Sequence, residues 1–119
     1  MLSFPSAVRI YMCSEPADMR RSFDRLAVMV RDIIGADPLS GHVFVFRSRR
    51  GDRIKLLYWD RDGFALWYKR LEKGMFSWPS TMSSDNEIDR RYLSMMLEGV
   101  DISQIRLKRR FGLNKLQSS

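Results

Sequence analysis

Three strand-like segments separated by turn sequences constrain the fold most. The segments cover residues 42–47, 53–59 and 64–71 and are rich in β-branched and aromatic residues. Between them lie RRGD at 49–52 and DRDG at 60–63, and such Asp and Gly residues are typical of hairpin turns. The pattern therefore predicts three consecutive strands in an antiparallel meander.

The first two of these strands differ in their apolar pattern. The first reads VFVF over residues 43–46 and is apolar on both faces. The second alternates Ile54, Leu56 and Tyr58 with Lys55 and Leu57. A strand that is apolar on both faces is typical of the middle of a sheet, so we expect the first strand to be central and the second to be more exposed.

An amphipathic helix is predicted over residues 17–34. Its apolar residues recur at helical spacing, which places them on one face. Gly35 and then Pro38 supply the expected end of the helix. We expect the apolar face to be buried against the meander, and it consists of Met19, Phe23, Leu26, Ala27, Val30, Ile33 and Ile34.

The rest of the chain indicates shorter elements. Residues 7–12 read as an extended segment, and Pro79 makes 75–78 an edge strand or a loop. Ser84 and Glu87 have the spacing of a capping box, which predicts a second helix running to about Glu98 and closed by Gly99. Residues 100–107 are apolar enough to add a last short strand.

Together these elements predict an α+β fold. An antiparallel meander sheet of about four or five strands packs against the N-terminal helix, and a second helix lies near the C-terminus. We find no internal repeat and no low-complexity linker, so we expect one domain with a compact core over about residues 7–108 and a basic tail over 109–119.

Positive charge dominates the surface chemistry. The chain has 21 Lys and Arg against 14 Asp and Glu, a formal charge of +7, which attracts polyanions such as DNA. Two clusters are predicted to contact phosphates, one around the first hairpin and one in the tail. They are Arg47, Arg49, Arg50, Arg53 and Lys55, then Arg106, Lys108, Arg109 and Arg110. Trp59, Trp67, Tyr68 and Trp78 are candidates for base stacking if they are exposed, and otherwise belong to the core; the three tryptophans are also candidates for partner contact.

Catalytic motifs are missing from the sequence. His42 and Cys13 are the only residues of their kinds, and no nucleotide-binding or hydrolase motif occurs. Asp60 and Asp62 fit a hairpin turn better than a metal site. We therefore expect neither catalysis nor a metal or cofactor. One cysteine and no long apolar run lead us to expect a cytoplasmic protein that does not enter a membrane.

Two stretches of the sequence carry a family resemblance. DMRRSFDRL at 18–26 and VFVFRSRRGDRIKLLYWDRDGFALWYKRLEKGMFSWP at 43–79 resemble the TnpB accessory proteins, encoded by the second open reading frame of insertion sequence sixty-six elements. The resemblance extends over about residues 8–100. It implies an accessory role in transposition of a bacterial element, beside a separate, larger transposase that carries out strand transfer.

Two molecular hypotheses remain open at this point, with a third, a small nuclease, supported only by scattered carboxylates. In the first the protein binds DNA through its basic clusters. In the second it is an adaptor that binds the transposase or another element-encoded protein, through an aromatic and methionine-rich surface. That surface would consist of Phe76, Trp78, Tyr92, Met95 and Met96. Exposed arginines favour the first hypothesis, and an exposed apolar patch favours a protein partner or a homodimer; the sequence leaves the oligomeric state open.

Overall fold

A mixed β-sheet forms the centre of the computed structural model, which describes residues 4–80, 82 and 84–104. Within these residues the strands are β1 (Ile10–Met12), β2 (Val43–Arg47), β3 (Arg53–Asp60), β4 (Gly63–Arg70) and β5 (Glu87–Ile88). The helices are α1 (Phe23–Met29), which continues as a π-helical turn over Val30–Ile34, and α2 (Arg90–Leu97). The strand order is β4-β3-β2-β1-β5.

The predicted meander is confirmed. β2, β3 and β4 are antiparallel neighbours, and Arg61 and Asp62 form the two-residue turn between β3 and β4. Arg61 takes the left-handed conformation there, with φ 54°. The sheet also contains a parallel pair that the pattern did not predict, since β1 lies parallel to β2. The chain joins these two strands through α1, as a parallel pair requires a crossover connection. The α+β class is thus confirmed.

Helices cover both faces of the sheet. On one face of the sheet, Leu26 of α1 and Val30 of the π-helical turn pack against side chains of β2 and β3. The buried residues there are Cys13, Ala17, Leu26, Val30, Phe44, Phe46 and Leu57. On the other face α2 closes a larger cluster comprising Ile10, Met12, Val43, Val45, Ile54, Leu56, Phe76, Ile88, Leu93, Met96, Leu97 and Ile102. β2 is therefore central, as expected.

The helix α1 begins later than residue 17, where the periodicity placed it. The backbone N–H of Ala17 donates to the carbonyl of Arg47 at 2.9 Å, which holds this segment against the end of β2. Asp18 Oδ1 then accepts from the N–H of Arg20 at 3.0 Å, a side-chain turn that competes with helix. Helical hydrogen bonding starts only after these contacts, at Phe23.

The predicted burial of Phe23 is wrong. Its side chain is 39% exposed, whereas Leu26 and Val30 on the same predicted face are fully buried. The helix begins at Phe23, so this ring lies at its N-terminal end, beyond the part that contacts the centre of the sheet. The predicted helix end is confirmed, because Gly35 follows the π-helical turn with φ 79°.

The helix α2 also begins later than the capping-box spacing indicated. Its N-cap is Asp89, whose carboxylate accepts from the N–H of Arg91 at 2.8 Å. The preceding Glu87–Ile88 is β5, which pairs antiparallel with β1 and keeps these residues extended. Gly99 ends the helix with φ 87°, as predicted.

Three further expectations concern single segments. β3 is more exposed than β2, as expected: its residues 54–57 are buried, but Tyr58 and Trp59 are only partly buried and Asp60 is exposed, whereas four of the five residues of β2 are buried. Residues 75–78 form a loop, one of the two predicted options. Residues 100–104 contain no strand, and the remainder of that predicted strand lies outside the described residues. Over the described ranges, none of the helices is both long and apolar enough to cross a membrane.

Candidate nucleic-acid interface

A groove opens at the end of the sheet where β2 turns into β3. Its walls are residues 16–20 on one side and the turn 48–53 on the other. It encloses about 490 Å³. Four arginines and two aspartates contribute to its lining: Arg20, Arg49, Arg50, Arg53, Asp18 and Asp52. We call this feature the arginine groove.

The turn of the arginine groove is fixed by Ser48, which is only 8% exposed. Its hydroxyl accepts from the N–H groups of Gly51 and Arg53, at 3.2 and 3.1 Å, and donates to the Asp52 carboxylate at 3.2 Å. Gly51 has φ 81°, a conformation that favours glycine. The turn backbone is thus held in place while residues 49 and 50 remain exposed.

In the opposite wall, residues 16–20, the positive charge of Arg20 is compensated by the carboxylate of Asp18. Asp18 accepts hydrogen bonds from the Arg20 guanidinium, the shortest at 2.8 Å, and lies 3.8 Å from the guanidinium of Arg21. Hydrogen bonding to Arg20 holds the pKa of Asp18 well below its usual range, so this carboxylate stays ionised. Arg20 therefore brings little free positive charge to the groove.

Arg49 and Arg50 carry the uncompensated charge. Both are exposed, and among the described residues neither lies within 4.0 Å of a carboxylate oxygen in an ion pair. Arg53, beside them, is half-buried and its guanidinium donates to the Tyr68 hydroxyl at 3.5 Å. A pair of adjacent unpaired guanidinium groups is suited to bidentate contact with phosphate oxygens.

Lys55 does not fit the predicted role in phosphate contact. The residue is only 5% exposed, and its Nζ donates to the carbonyls of Met19 and Arg21, at 2.7 and 2.8 Å. The same ammonium lies 4.8 Å from the centre of the Tyr68 ring. Burial lowers the pKa of Lys55. The hydrogen bonds from the Lys55 ammonium hold the segment before α1 against the sheet.

Arg47 is also engaged internally. Its guanidinium lies 4.7 Å from the centre of the Trp78 ring, a cation–π contact, and its Nε is buried without a hydrogen-bond partner among the described residues. Burial lowers the pKa of Arg47. Of the predicted first cluster, only Arg49, Arg50 and Arg53 line the arginine groove.

The tryptophans are all partly buried. Trp59 makes an edge-to-face contact with Phe64 at 5.1 Å, Trp67 packs against the larger core cluster, and Trp78 lies beneath Arg47. Tyr68, the remaining candidate for base stacking, is 46% exposed.

The residues behind the adaptor hypothesis belong to the larger core cluster. Phe76 and Met96 are buried, and Trp78, Tyr92 and Met95 are partly buried against them. They therefore do not form the exposed apolar surface that this hypothesis required. The basic tail cluster, Arg106, Lys108, Arg109 and Arg110, lies outside the described residues.

The groups considered for catalysis have structural environments. Asp60 ends β3 and Asp62 lies in the β3–β4 turn, and His42 Nδ1 accepts from the N–H of Arg9 at 2.9 Å. Cys13 is buried, which raises the pKa of its thiol. The described part of the chain contains no group of three His, Cys, Asp or Glu residues that could hold a metal ion.

The fold and the groove define a small, basic α+β protein with an arginine-lined end. Comparison with known proteins then gives its family. Residues 8–107 match the family described as IS66 Orf2-like protein, and the chain belongs to this family. It is thus an accessory protein of an insertion sequence, which confirms the resemblance found in the sequence.

Two relatives from Sinorhizobium fredii (strain NBRC 101917 / NGR234) are similar over most of their length. The uncharacterized protein y4hO is 38% identical over 101 residues, which cover 85% of this chain and 88% of the relative. The uncharacterized protein y4jC is 32% identical over 108 residues, covering 91% and 92%. No solved structure matches the chain.

Proposed function

We propose that this accessory protein binds DNA through the phosphate backbone, with the arginine groove as its contact surface. One observation carries the proposal: Arg49 and Arg50 are exposed on a turn that Ser48 holds in place, and neither forms an ion pair with any residue that the structure describes. Because Ser48 already holds the turn backbone, only the two side chains have to be ordered when an anion binds, and within the described residues neither has to leave a carboxylate first. The net charge of +7 adds long-range attraction to a polyanion.

Phosphate contact is favoured over base reading by the local structure. The groove is built from two loops, and neither of them presents a helix or a two-stranded ribbon of the size that enters a major groove. Arginines on a turn reach phosphate oxygens without entering either groove of DNA. The affinity is therefore expected to depend weakly on sequence.

We also propose that the chain acts without catalysis and that strand transfer belongs to the transposase. Support comes from the carboxylates, since Asp60 and Asp62 lie at the β3–β4 turn while Asp18 and Asp89 are paired with arginines. The purified protein is expected to leave supercoiled plasmid intact with magnesium or manganese. Nicking that is lost in Asp60→Ala would contradict this.

The experiment for DNA binding compares two variants that lose the same charge. Arg49→Ala with Arg50→Ala removes the unpaired cations and is expected to weaken binding to a random duplex by at least about tenfold. The control is Arg31→Ala with Arg61→Asn, since both are exposed arginines away from the groove and Asn tolerates the positive φ of residue 61. It should bind within about twofold of the parent.

Equal weakening in the two double variants would show that net charge alone is responsible and would overturn the assignment to the groove. Absence of DNA binding by the parent would favour the adaptor hypothesis. Its first test is co-purification with the element's transposase.

A further inference from the structure

The outer edge of β4 is a long strand edge without a neighbour in the described structure. β4 is terminal in the strand order and has eight residues, whereas the opposite terminal strand, β5, has two. Natural proteins protect such edges with charges, proline, bulges or short strands, because a free edge pairs with another strand. The central residues of β4, FALWY at 64–68, contain none of these devices.

The backbone groups of this edge can be assigned by their alternation. The N–H of Leu71 donates to the carbonyl of Asp52 at 2.8 Å, in the same register that pairs Arg53 with Arg70. In an antiparallel pair the hydrogen-bonded positions alternate along the strand, so the odd-numbered residues of β4 face β3. The even-numbered residues, Phe64, Leu66, Tyr68 and Arg70, therefore direct their N–H and C=O groups away from the sheet.

Exposed apolar side chains gather along the same edge. Tyr68 is 46% exposed, and Phe23 at the start of α1 is 39% exposed. The Phe23 ring lies nearly parallel to that of Phe64, with centroids 6.4 Å apart and 11° between the ring planes. These rings lie on the face of the sheet that α1 covers, beyond the end of the helix. Large rings left in water beside unpaired backbone groups indicate a surface that is covered by another chain.

We propose that a second copy of this chain covers the edge, pairing its β4 antiparallel to the first about a two-fold axis at Leu66. Leu66 then faces Leu66 of the second copy, and Phe64 faces its Tyr68. These are even-numbered positions, so both partners present free N–H and C=O groups. The two sheets become one, and the aromatic rings form cross-strand pairs on one face.

Charge at the ends of the strand selects this register. With the axis at Leu66, Asp62 faces Arg70 of the second copy, and symmetry repeats the pair. Moving the axis to Ala65 would place Arg61 opposite Lys69, and moving it to Trp67 would place Arg70 opposite Phe64 and remove its pairing with Asp62. Like charges directly opposite each other destabilise a strand pair. The strand is thus complementary to itself, which favours a second copy over an unrelated strand.

The test is the mass in solution of the full chain and of charge-reversed variants, measured by sedimentation equilibrium over roughly a hundredfold range of concentration. The parent is expected to reach twice its chain mass of 14.0 kDa. Asp62→Arg and Arg70→Asp should each weaken the dimer by about fivefold or more, because each places like charges opposite each other. The combined double variant should recover the parent affinity within about twofold.

Two further variants complete the design. Leu66→Lys places two ammonium groups at the axis and should give a monomer whose circular dichroism matches the parent. Asp32→Arg, an exposed charge reversal away from β4, should leave the dimer unchanged. A parent that stays monomeric, a dimer that survives Leu66→Lys, or single reversals that the double variant does not rescue would each overturn the proposal. The outcome is independent of DNA binding, since Arg49 and Arg50 stay unchanged.

Discussion

At the scale of single residues, the same amino-acid type takes opposite roles a few positions apart. Arg49 and Arg50 are exposed on a turn, whereas Lys55 is buried and bonded to two carbonyls. Turn chemistry at 49–52 was enough to predict the first two as exposed. The burial of Lys55 depends on carbonyls of Met19 and Arg21, which come from a distant segment, so the local alternation of β3 could not reveal it.

Lys55→Met is expected to destabilise the protein by about 1–3 kcal/mol, because it leaves the part-buried carbonyls of Met19 and Arg21 without their donor. Chemical denaturation measures the loss, and the matched cation removal Arg49→Ala should change stability by no more than about 0.5 kcal/mol. The DNA affinity of the folded Lys55→Met protein should stay near that of the parent. A stability loss no larger than that of Arg49→Ala would show that the Lys55 bonds contribute little.

At the scale of elements, the meander and both helix ends followed from the sequence, and the helix starts did not. Alternating apolar residues indicate the strands of the meander, and the glycines at 35 and 99 indicate the helix ends, so both features have local signals in the sequence. The pairing of β1 with β2 and β5 involves strands of three and two residues, too short to show a period. The start of α1 was missed because Ala17 hydrogen-bonds to Arg47, which is far away in sequence.

The position of α1 leads to a comparison of two residues on its apolar side. Leu26→Ala removes a fully buried side chain and should cost about 2–5 kcal/mol, whereas Phe23→Ala removes a ring that is 39% exposed and should cost about 1 kcal/mol or less. Denaturation at the lowest practical protein concentration measures both without a contribution from strand pairing. Similar losses for the two variants would contradict the observed start of the helix.

At the scale of the whole molecule, the arginine groove and the exposed edge of β4 are neighbouring surfaces, which meet where Arg53 donates to the Tyr68 hydroxyl. The arginine groove is at the end of the sheet where β2 meets β3, and the free edge follows β4. Sequence reasoning found Arg49, Arg50 and Arg53 of the groove but not Arg20. That residue is brought there by the contact between Ala17 and Arg47, which no local pattern encodes. We infer neighbouring surfaces for DNA and for a second copy.

The most direct test of the DNA-binding proposal is the salt dependence of affinity for a random duplex. If about four phosphates are neutralised, log K should fall against log salt with a slope near about −3.6. Replacing Arg49 and Arg50 by alanine should flatten this slope by about 1 to 2 units, while the double variant at Arg31 and Arg61 should retain the parent slope. Identical slopes for the parent and the Arg49 and Arg50 double variant would contradict phosphate binding at the arginine groove.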